Sequence, residues 1–374
     1  MLKSTPPLGW NTWNTFGKNI NEQLILEAAD QIVASGLKDC GYEYVVIDDC
    51  WSLKERDANG KLVADPEKFP HGMKYLADAI HAKGLKFGMY SCAGTLTCAG
   101  YPASYDREFI DAATFAEWGV DFLKYDYCYH TPIIETMYLY RRMGAALANC
   151  GREILFSACS WGTHKTHEWI KTTGASMWRS TGDIFDSWES IKNLTLQQEA
   201  IHPYNGVGCF NDMDMLVVGM GGQGNVGRES GCTFEEYRTH FSIWCMMGSP
   251  LMIGCDVRNM SEETKTILMN KEAIAIDQDP SCNQPYRVGF HGREGLLIYA
   301  RLLSDGDFAI GAFNMSDSDR NVDIAFDEIG LPISSGKDLL FHNVWTGEDE
   351  KTRNNTYSTR VAPHDCRLWR CKVI

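Results

Sequence analysis

Short apolar runs alternate with longer amphipathic runs from residue 8 to about residue 280, and this alternation constrains the fold more than any other feature. The apolar runs have the length of buried strands; they span residues 8–13, 44–49, 85–91, 122–127, 154–160, 177–183, 207–215 and 250–254. The amphipathic runs repeat at helical spacing; they span residues 22–35, 72–83, 106–118, 133–149, 164–173, 187–200, 234–247 and 261–276. Eight such pairs predict an α/β chain folded as a (β/α)8 TIM barrel, with a doubly wound open sheet as the alternative.

Glycines follow the ends of five predicted helices. Five amphipathic runs are followed by a glycine before the next apolar run, at Gly36, Gly84, Gly119, Gly151 and Gly174. Glycine accepts the left-handed backbone conformation that ends many helices. These positions therefore support the predicted helix ends.

The pattern changes near residue 285. The runs that follow are short, alternate in polarity and are separated by Asp, Gly, Asn and Ser turns; they span residues 295–301, 308–314, 322–326, 339–343, 358–362 and 365–371. Such runs favour antiparallel strands. We expect a barrel domain over residues 1–285 and a C-terminal antiparallel β-sandwich domain over residues 286–374. Since no low-complexity linker separates them, the two domains should pack together.

Charge and composition exclude several classes of partner. The formal net charge is -14 and the sequence pI is about 5.2, so phosphate backbones and anionic lipid surfaces are poor partners. No 18-residue apolar run is present, and the first seven residues lack the apolar core of a signal peptide. We expect a cytoplasmic protein that binds neither nucleic acid nor membrane; a homo-oligomer remains open.

Fourteen cysteines do not indicate a metal centre. Neither Cys-x-x-Cys nor His-x-x-x-His occurs, and these are the usual zinc-ligand spacings. Cys92 and Cys98 flank a Gly-Thr-Leu-Thr loop, but no histidine stands near them in sequence. We therefore expect no metal and no cofactor.

Polar and aromatic residues stand at the ends of seven consecutive predicted strands. They are Trp13 for the first strand, Asp48 and Asp49 for the second, Tyr90 for the third, Lys124 and Asp126 for the fourth, Ser160 and Trp161 for the fifth, Arg179 and Asp183 for the sixth, and Asp212 and Asp214 for the seventh. The strand ends of a (β/α)8 barrel meet at its active-site face. One such residue could be structural, whereas seven consecutive strand ends indicate a site.

Two of these carboxylates predict cleavage of a glycosidic bond. A retaining glycosidase uses an ionised carboxylate as nucleophile and a protonated carboxyl as acid, about 5–5.5 Å apart. Asp126 suits the first role, because the ammonium of Lys124 would favour its ionised form. Asp183 suits the second, because apolar cover from Ile184 and Phe185 would raise its pKa.

The pair Asp48 and Asp49 suits a different task. A carboxylate can accept hydrogen bonds from two sugar hydroxyls at once. Such bonds reject a substrate whose hydroxyl points the other way. We therefore expect this pair to select the epimer that enters the site.

Two motifs predict a different kind of ligand, and the evidence from each is weaker. Residues 219–224, Gly-Met-Gly-Gly-Gln-Gly, match a dinucleotide-binding fingerprint, but residues 225–231 are a poor helix start. The spacing of Asp212 and Asp214 is also that of an acidic pair that holds a metal-bound nucleotide sugar in glycosyltransferases. Both readings predict a nucleotide ligand, which the other strand ends do not require.

Several motifs together resemble glycoside hydrolase family 27, the family of α-galactosidases and α-N-acetylgalactosaminidases. They are Pro7-Leu-Gly-Trp-Asn-Thr-Trp13, Ile47-Asp-Asp-Cys-Trp51, Gly88-Met-Tyr90, Thr97-Cys-Ala-Gly100, Leu123-Lys-Tyr-Asp126, Trp178-Arg179, Asp183-Ile184 and Asn211-Asp-Met-Asp-Met-Leu216. They cover most of residues 7–285 in the family's order and spacing. Beyond residue 285 the chain matches only as a β-domain of suitable length.

The resemblance implies roles for individual residues. It implies Asp126 as nucleophile, Asp183 as acid/base, and sugar contacts from Trp13, Asp48, Asp49, Tyr90, Lys124, Arg179 and Met215. Cys98 and Cys128 match a pair that forms a disulfide beside the site in relatives. Cys50 and Cys159 match positions that are bridged in the animal enzymes, but their partner cysteines are missing here.

One sequence position leaves the identity of the sugar open. Ser160 falls where animal α-galactosidases carry a glutamate that contacts the 2-hydroxyl, and where the N-acetylgalactosaminidase has serine. Three residues further on, the N-acetylgalactosaminidase has alanine, and Thr163 at that position is intermediate in bulk between the two patterns. The resemblance thus implies a retaining exo-glycosidase acting on terminal α-D-galactose, with N-acetylgalactosamine or β-L-arabinopyranose as alternatives. A catalytically inactive sugar-binding protein is the alternative from another class.

Overall fold

The computed structural model describes residues 4–289, 295–352 and 355–374. Part of the N-terminal segment on which the cytoplasmic expectation rests, residues 1–3, lies outside the described residues, and that expectation stays a prediction. Among the described residues, no helix combines the length and the apolar character needed to cross a membrane.

Eight parallel strands form the first domain. Their bounds are β1 Leu8–Asn11, β2 Tyr44–Val46, β3 Lys86–Cys92, β4 Phe122–Asp126, β5 Leu155–Ala158, β6 Met177–Arg179, β7 Phe210–Asp212 and β8 Leu251–Ile253. The sheet runs in the order β7-β6-β5-β4-β3-β2-β1-β8. A parallel bridge between Leu216, just after β7, and Ile253 in β8 joins its two edges. The (β/α)8 barrel is confirmed and the open doubly wound sheet is wrong.

Helices follow the strands on the outside of the sheet. Their bounds are α1 Trp13–Phe16, α2 Glu22–Ala34, α3 Gly72–Ala82, α4 Glu108–Trp118, α5 Thr136–Ala148, α6 Thr166–Trp169, α7 Trp188–Glu199, α8 Phe234–Met247, α9 Glu262–Leu268 and α10 Lys271–Asp277. All five glycines that were predicted to end helices have positive φ, for example 84° at Gly119, where α4 ends. The predicted helix ends are therefore confirmed at these positions.

Two predicted helices differ from those observed. The run 164–173 forms only the short α6 and a 3-10 turn, Ile170–Thr172. The run 261–276 is broken into α9 and α10, because the Asn270 side chain accepts hydrogen bonds from the backbone of Glu272 and Ala273. An N-cap of this kind starts a new helix inside a continuous apolar pattern.

Alternation along each strand decides which side chains face the barrel axis. One buried cluster contains Tyr44, Val46, Phe122, Leu155, Met177, Phe210 and Met252, taken from six different strands. Their sequence neighbours, such as Val45, Leu123 and Phe156, belong to the larger core that packs against the helices. Because successive strand residues face opposite sides, Lys124 and Asp126 share the inward face of β4 with Phe122.

The C-terminal domain is antiparallel, as predicted. Its strands are β9 Tyr286–Arg287, β10 Leu296–Leu302, β11 Phe308–Asn314, β12 Arg320–Ala325, β13 Leu339–Asn343, β14 Asp349–Lys351, β15 Thr356–Val361 and β16 Cys366–Val373. They form a six-stranded sheet, β14-β13-β16-β11-β10-β9, and a two-stranded sheet, β12-β15. Residues of both sheets, including Ile310, Val322 and Tyr357, share one apolar core, so this domain is a β-sandwich.

The two domains pack through α8. Thr239 Oγ1 donates a 2.8 Å hydrogen bond to the carbonyl of His364, and Arg238 pairs with Asp365 at 2.6 Å. Trp345 Nε1 donates to Ser242 Oγ at 3.0 Å. The β-sandwich therefore packs against α8, the helix between β7 and β8.

Candidate active site

A cavity of about 250 Å³ opens at the carboxyl ends of the barrel strands. It is lined by eleven of the twelve residues that sequence reasoning assigned to the site: Trp13, Asp48, Asp49, Tyr90, Cys98, Lys124, Asp126, Cys128, Arg179, Asp183 and Met215. The twelfth, Ser160, does not line it. The structure thus brings together residues that are up to 202 positions apart in the sequence.

Asp126 lies at the buried end of this cavity. It is the last residue of β4 and is 6% exposed. Its Oδ2 accepts a 3.0 Å hydrogen bond from the Tyr90 hydroxyl, and its Oδ1 accepts one of 2.9 Å from the Tyr127 backbone N–H. Both bonds favour the carboxylate and hold it in one orientation.

Opposing effects act on the pKa of Asp126. Burial raises the pKa of this carboxyl above its ordinary value, although the Lys124 ammonium and the two hydrogen bonds oppose the rise. The expected effect of Lys124, which favours the ionised form of Asp126, is therefore present, but it does not set the net direction of the pKa. Loss of hydration outweighs the attraction, because a carboxylate at this depth has little water around it.

Lys124 pairs directly with Asp48. Its ammonium donates to Asp48 Oδ2 at 2.8 Å, and the two side chains are 13% and 2% exposed. Asn11 Nδ2 donates to the same oxygen at 2.8 Å. Burial acts to lower the pKa of Lys124, but the negative charge of Asp48 outweighs it and the pKa is raised. The ammonium is therefore held charged at the cavity wall.

Asp49 is held by the backbone. Its Oδ1 accepts from the Cys50 N–H at 2.7 Å and its Oδ2 from the Ala99 N–H at 2.9 Å. Burial nevertheless raises the pKa of this carboxyl. The two bonds fix Asp49 between the loops that follow β2 and β3, so its direction into the cavity is set before any ligand arrives.

Asp183 lies at the open rim, where its side chain is 65% exposed. Its Oδ1 accepts a 2.9 Å hydrogen bond from the Arg179 guanidinium. Partial burial acts to raise the pKa of Asp183, but the charge and hydrogen bond of Arg179 outweigh it, and the pKa is lowered. The expectation that Ile184 and Phe185 would raise this pKa is therefore wrong: the neighbouring cation decides.

Arg179 is shared between two carboxylates. The same nitrogen that contacts Asp183 lies 3.0 Å from Asp214 Oδ2. Asp214 is buried and accepts hydrogen bonds from the backbone of Ile184 at 2.8 Å and Met215 at 2.7 Å. Burial raises the pKa of Asp214. Asp214 lines the cavity, so the residue that spacing linked to a nucleotide sugar instead fixes Arg179 and the loop that carries Asp183.

Ser160 points away from the cavity. It is fully buried, and its Oγ lies 2.7 Å from Thr166 Oγ1. The neighbours on either side, Cys159 and Trp161, line the cavity. Ser160 has the same parity as Phe156 and Ala158, which face the helices. The expected contact between Ser160 and a sugar is therefore not supported, and Cys159 and Trp161 occupy the place assigned to it.

The glycine-rich loop forms part of the cavity wall. Asn225 and Val226 line the cavity, and their backbone N–H groups donate to the Asn14 carbonyl at 2.8 and 3.2 Å. Asp186 Oδ2 accepts from the Gly222 N–H at 2.7 Å. The next helix, α8, does not begin until Phe234. A dinucleotide fingerprint requires a helix directly after it, so that reading is wrong.

Further cavity residues escaped sequence reasoning as sugar contacts: Asn14, Cys159, Trp161, Ile184, Phe185, Asp214, Asn225 and Val226. Trp161 and Asp214 carried a signal, since both stand at the ends of predicted strands. Asn225 and Val226 carried none, because their loop is recruited by backbone hydrogen bonds to Asn14.

Two family models match this chain. A model described as "Alpha galactosidase A" matches residues 5–279, and one described as "Alpha galactosidase C-terminal beta sandwich domain" matches residues 294–371. The two together cover both structural domains.

Several named proteins are similar to this chain over nearly its full length. "Alpha-galactosidase 3" of Arabidopsis thaliana is 42% identical over 98% of this chain and 82% of its own length. "Alpha-galactosidase A" of Cellvibrio japonicus is 43% identical over 94% of this chain and 88% of its own. The crystal structure of α-galactosidase I from Mortierella vinacea superposes with a TM-score of 0.92, at 38% identity over 98% of this chain and 97% of that one. The chain therefore belongs to the α-galactosidase family, glycoside hydrolase family 27.

Proposed function

We propose that this protein is a retaining exo-glycosidase that hydrolyses terminal α-D-galactosyl residues of α-galactosides. One observation carries the proposal: a buried carboxylate and a solvent-facing carboxyl, Asp126 and Asp183, line one cavity at the ends of β4 and β6. Full-length similarity to α-galactosidases at about 40% identity supports the substrate class.

The first step breaks the glycosidic bond. Asp126, held by Tyr90 and the Tyr127 N–H, attacks the anomeric carbon while the bond to the leaving oxygen breaks. Asp183 gives its proton to that oxygen. The exposure of Asp183 suits this role, since the leaving group must depart toward solvent.

The second step returns the enzyme to its starting state. Asp183, now ionised, takes a proton from water, and that water attacks the anomeric carbon and releases Asp126. Two displacements at one carbon give back the α-anomer. Transfer to a sugar hydroxyl in place of water follows the same route.

Arg179 governs when Asp183 can hold its proton. The guanidinium lowers the pKa of Asp183. A sugar hydroxyl that replaces Asp183 as the partner of Arg179 would remove this effect, while Asp214 keeps the guanidinium in place at 3.0 Å. Substrate binding would thereby convert Asp183 into a usable acid.

The cavity fits one terminal sugar ring. Its volume of about 250 Å³ lies below the range of roughly 300–1,000 Å³ typical of pockets for drug-sized ligands. Asp48, Lys124 and Asp49 offer two carboxylates and one ammonium to sugar hydroxyls, and Trp13 and Tyr90 offer aromatic rings. This supports removal of single terminal residues over cleavage within a chain.

Galactose is the sugar we assign. The relatives named above are α-galactosidases, and a yeast member, 31% identical with a TM-score of 0.89, has been solved with raffinose. A β-L-arabinopyranosidase from Geobacillus stearothermophilus is 24% identical and shares the fold alone. A comparison of p-nitrophenyl α-galactoside, its 2-acetamido analogue and p-nitrophenyl β-L-arabinopyranoside tests the assignment. We expect the highest kcat/KM on the galactoside, and a preference for either other sugar would contradict it.

The reaction class has its own test. Undiminished hydrolysis of p-nitrophenyl α-galactoside in EDTA would exclude a metal-dependent glycosyltransferase, and no hydrolysis at all would favour a sugar-binding protein. Proton NMR of the first-formed galactose should show the α-anomer. Initial β-anomer would contradict the two-step mechanism.

A further inference from the structure

Two sulfur atoms lie beside the carboxylate of Asp126. The Cys98–Cys128 disulfide ties the loop after β3 to the loop after β4, and Cys98 Sγ lies 3.4 Å from Asp126 Oδ2. One ligand atom from each of the three side chains falls within 4.8 Å of the other two. Within the described ranges, this is the one group of three histidine, cysteine or acidic residues with that spacing.

We propose that reduction of the Cys98–Cys128 disulfide creates a binding site for a thiophilic divalent cation such as Zn²⁺ or Cd²⁺, formed by two thiolates and the Asp126 carboxylate. Soft thiolates select such cations over Mg²⁺ or Ca²⁺. The bound cation occupies the carboxylate to which the proposed function assigns the attack. The site is therefore inhibitory, and it exists only in the reduced protein.

The chemistry balances in two steps. A dithiol reductant supplies two electrons and two protons, closes to its own disulfide, and leaves Cys98 and Cys128 as thiols. The cation then displaces both thiol protons and forms two metal–sulfur bonds, while ionised Asp126 adds a metal–oxygen bond without releasing a proton. Binding thus frees two protons per cation, and affinity rises with pH.

The distances suit a tetrahedral ion. Zinc–sulfur bonds of about 2.3 Å and zinc–oxygen bonds of about 2.0–2.2 Å place neighbouring ligand atoms roughly 3.5–3.8 Å apart. Cys98 Sγ and Asp126 Oδ2 already stand 3.4 Å apart, so the main movement needed is separation of the two sulfurs once their bond is cut. The ligands also remain reachable, because all three side chains line the open cavity.

Neighbouring groups complete the site. The Tyr90 hydroxyl lies 3.0 Å from Asp126 Oδ2 and 3.3 Å from Cys98 Sγ, where it can steady both ligands. Two thiolates and one carboxylate around a divalent cation leave one net negative charge. The Lys124 ammonium, whose charge already acts on Asp126, offsets it. Such supporting partners are worth about 10- to 100-fold in metal affinity.

Cadmium titration of the oxidised and reduced protein tests the proposal. After reduction and removal of the dithiol, we expect one Cd²⁺ per chain, thiolate-to-cadmium charge-transfer absorption in the ultraviolet, and release of two protons. Cys98→Ser leaves a single thiolate, so it should weaken the absorption markedly and reduce the protons released from two to one. Asp126→Asn should weaken binding by about tenfold or more, since even partners outside the ligand set are worth 10- to 100-fold. Cys150→Ser, which removes a half-buried free cysteine elsewhere, should change nothing.

Activity gives the second readout. Hydrolysis of p-nitrophenyl α-galactoside by the reduced protein should fall in proportion to Cd²⁺ bound and recover with EDTA, whereas the oxidised protein should be unaffected. Equal Cd²⁺ binding before and after reduction would overturn the proposal. So would unchanged affinity in Asp126→Asn, which would place the cation on the thiols alone. If the oxidised protein hydrolyses no galactoside, the proposed function fails, and the titration still decides the metal site.

Discussion

The buried ion pair of Lys124 and Asp48 makes the sharpest prediction about stability. Replacing Lys124 by Met keeps the bulk of the side chain and removes its charge, which leaves the Asp48 carboxylate buried at 2% exposure without its cation. Asp48 would keep hydrogen bonds from Asn11 Nδ2 at 2.8 Å and the Asp49 N–H at 2.9 Å. Breaking one partner of a buried pair costs about 3–5 kcal/mol. The variant should lose stability by an amount in that range.

An exposed pair of the same length provides the control. Lys61 and Glu117 are also 2.8 Å apart, but their side chains are 40% and 60% exposed. Exposed pairs are worth about 0–1 kcal/mol, so Lys61→Met should barely change the free energy of unfolding. The contrast isolates burial, because the separation of the charges is the same in both pairs.

A double-mutant cycle in thermal and urea unfolding measures the coupling. Lys124→Met combined with Asp48→Asn removes both charges, and its loss should be smaller than the sum of the two single losses by several tenths to about 3 kcal/mol. A cost below about 1 kcal/mol for Lys124→Met would refute the reasoning. It would mean that water reaches Asp48 and that the pair behaves as a surface contact.

Three further predictions concern protons. Tyr90→Phe removes the hydroxyl that favours ionised Asp126, so the acidic limb of the kcat/KM profile should move to higher pH; an unmoved limb would show that this bond does not act on the nucleophile. Asp183→Asn should lower kcat by about 10²–10⁴-fold on galactosides with a sugar aglycone and far less on the 2,4-dinitrophenyl galactoside, whose leaving group needs no proton; equal losses would exclude Asp183 as the acid. Burial raises the pKa of Asp212 to about 6, so the folded protein holds this proton more tightly than the unfolded chain. Stability from this group is present below the unfolded-state pKa near 4 and is lost as pH rises to about 6; Asp212→Asn should flatten that slope, and an unchanged slope would contradict the buried assignment.

Sequence patterns predicted the barrel and the location of the site because both depend on short-range rules. Strand and helix periodicity, together with the glycines at helix ends, suffices to predict eight strand–helix repeats. The meeting of strand ends at one face then brings Trp13 and Asp214 together without knowledge of any contact. Periodicity does not predict the break at Asn270, because an apolar helical pattern continues across it and only the side-chain cap interrupts the helix.

Directions of side chains and of pKa shifts were harder to predict. The orientation of Ser160 can be predicted from the sequence, since it has the parity of Phe156, which faces the helices, rather than that of Leu155, which faces inward. The net pKa directions of Asp126 and Asp183 cannot be predicted from the sequence. They depend on how deeply β4 ends in the cavity and on the 2.9 Å contact of Arg179, which are properties of packing.

Covalent labelling of Asp126 tests the central claim most directly. A fluorinated galactosyl fluoride that forms the glycosyl–enzyme intermediate but releases it slowly should inactivate the protein with one galactosyl group per chain. Proteolysis and mass spectrometry should place that group on the peptide carrying Asp126, and Asp126→Asn should take up none. A label on Asp183, or rapid turnover to the β-anomer with no label on any peptide, would contradict the account.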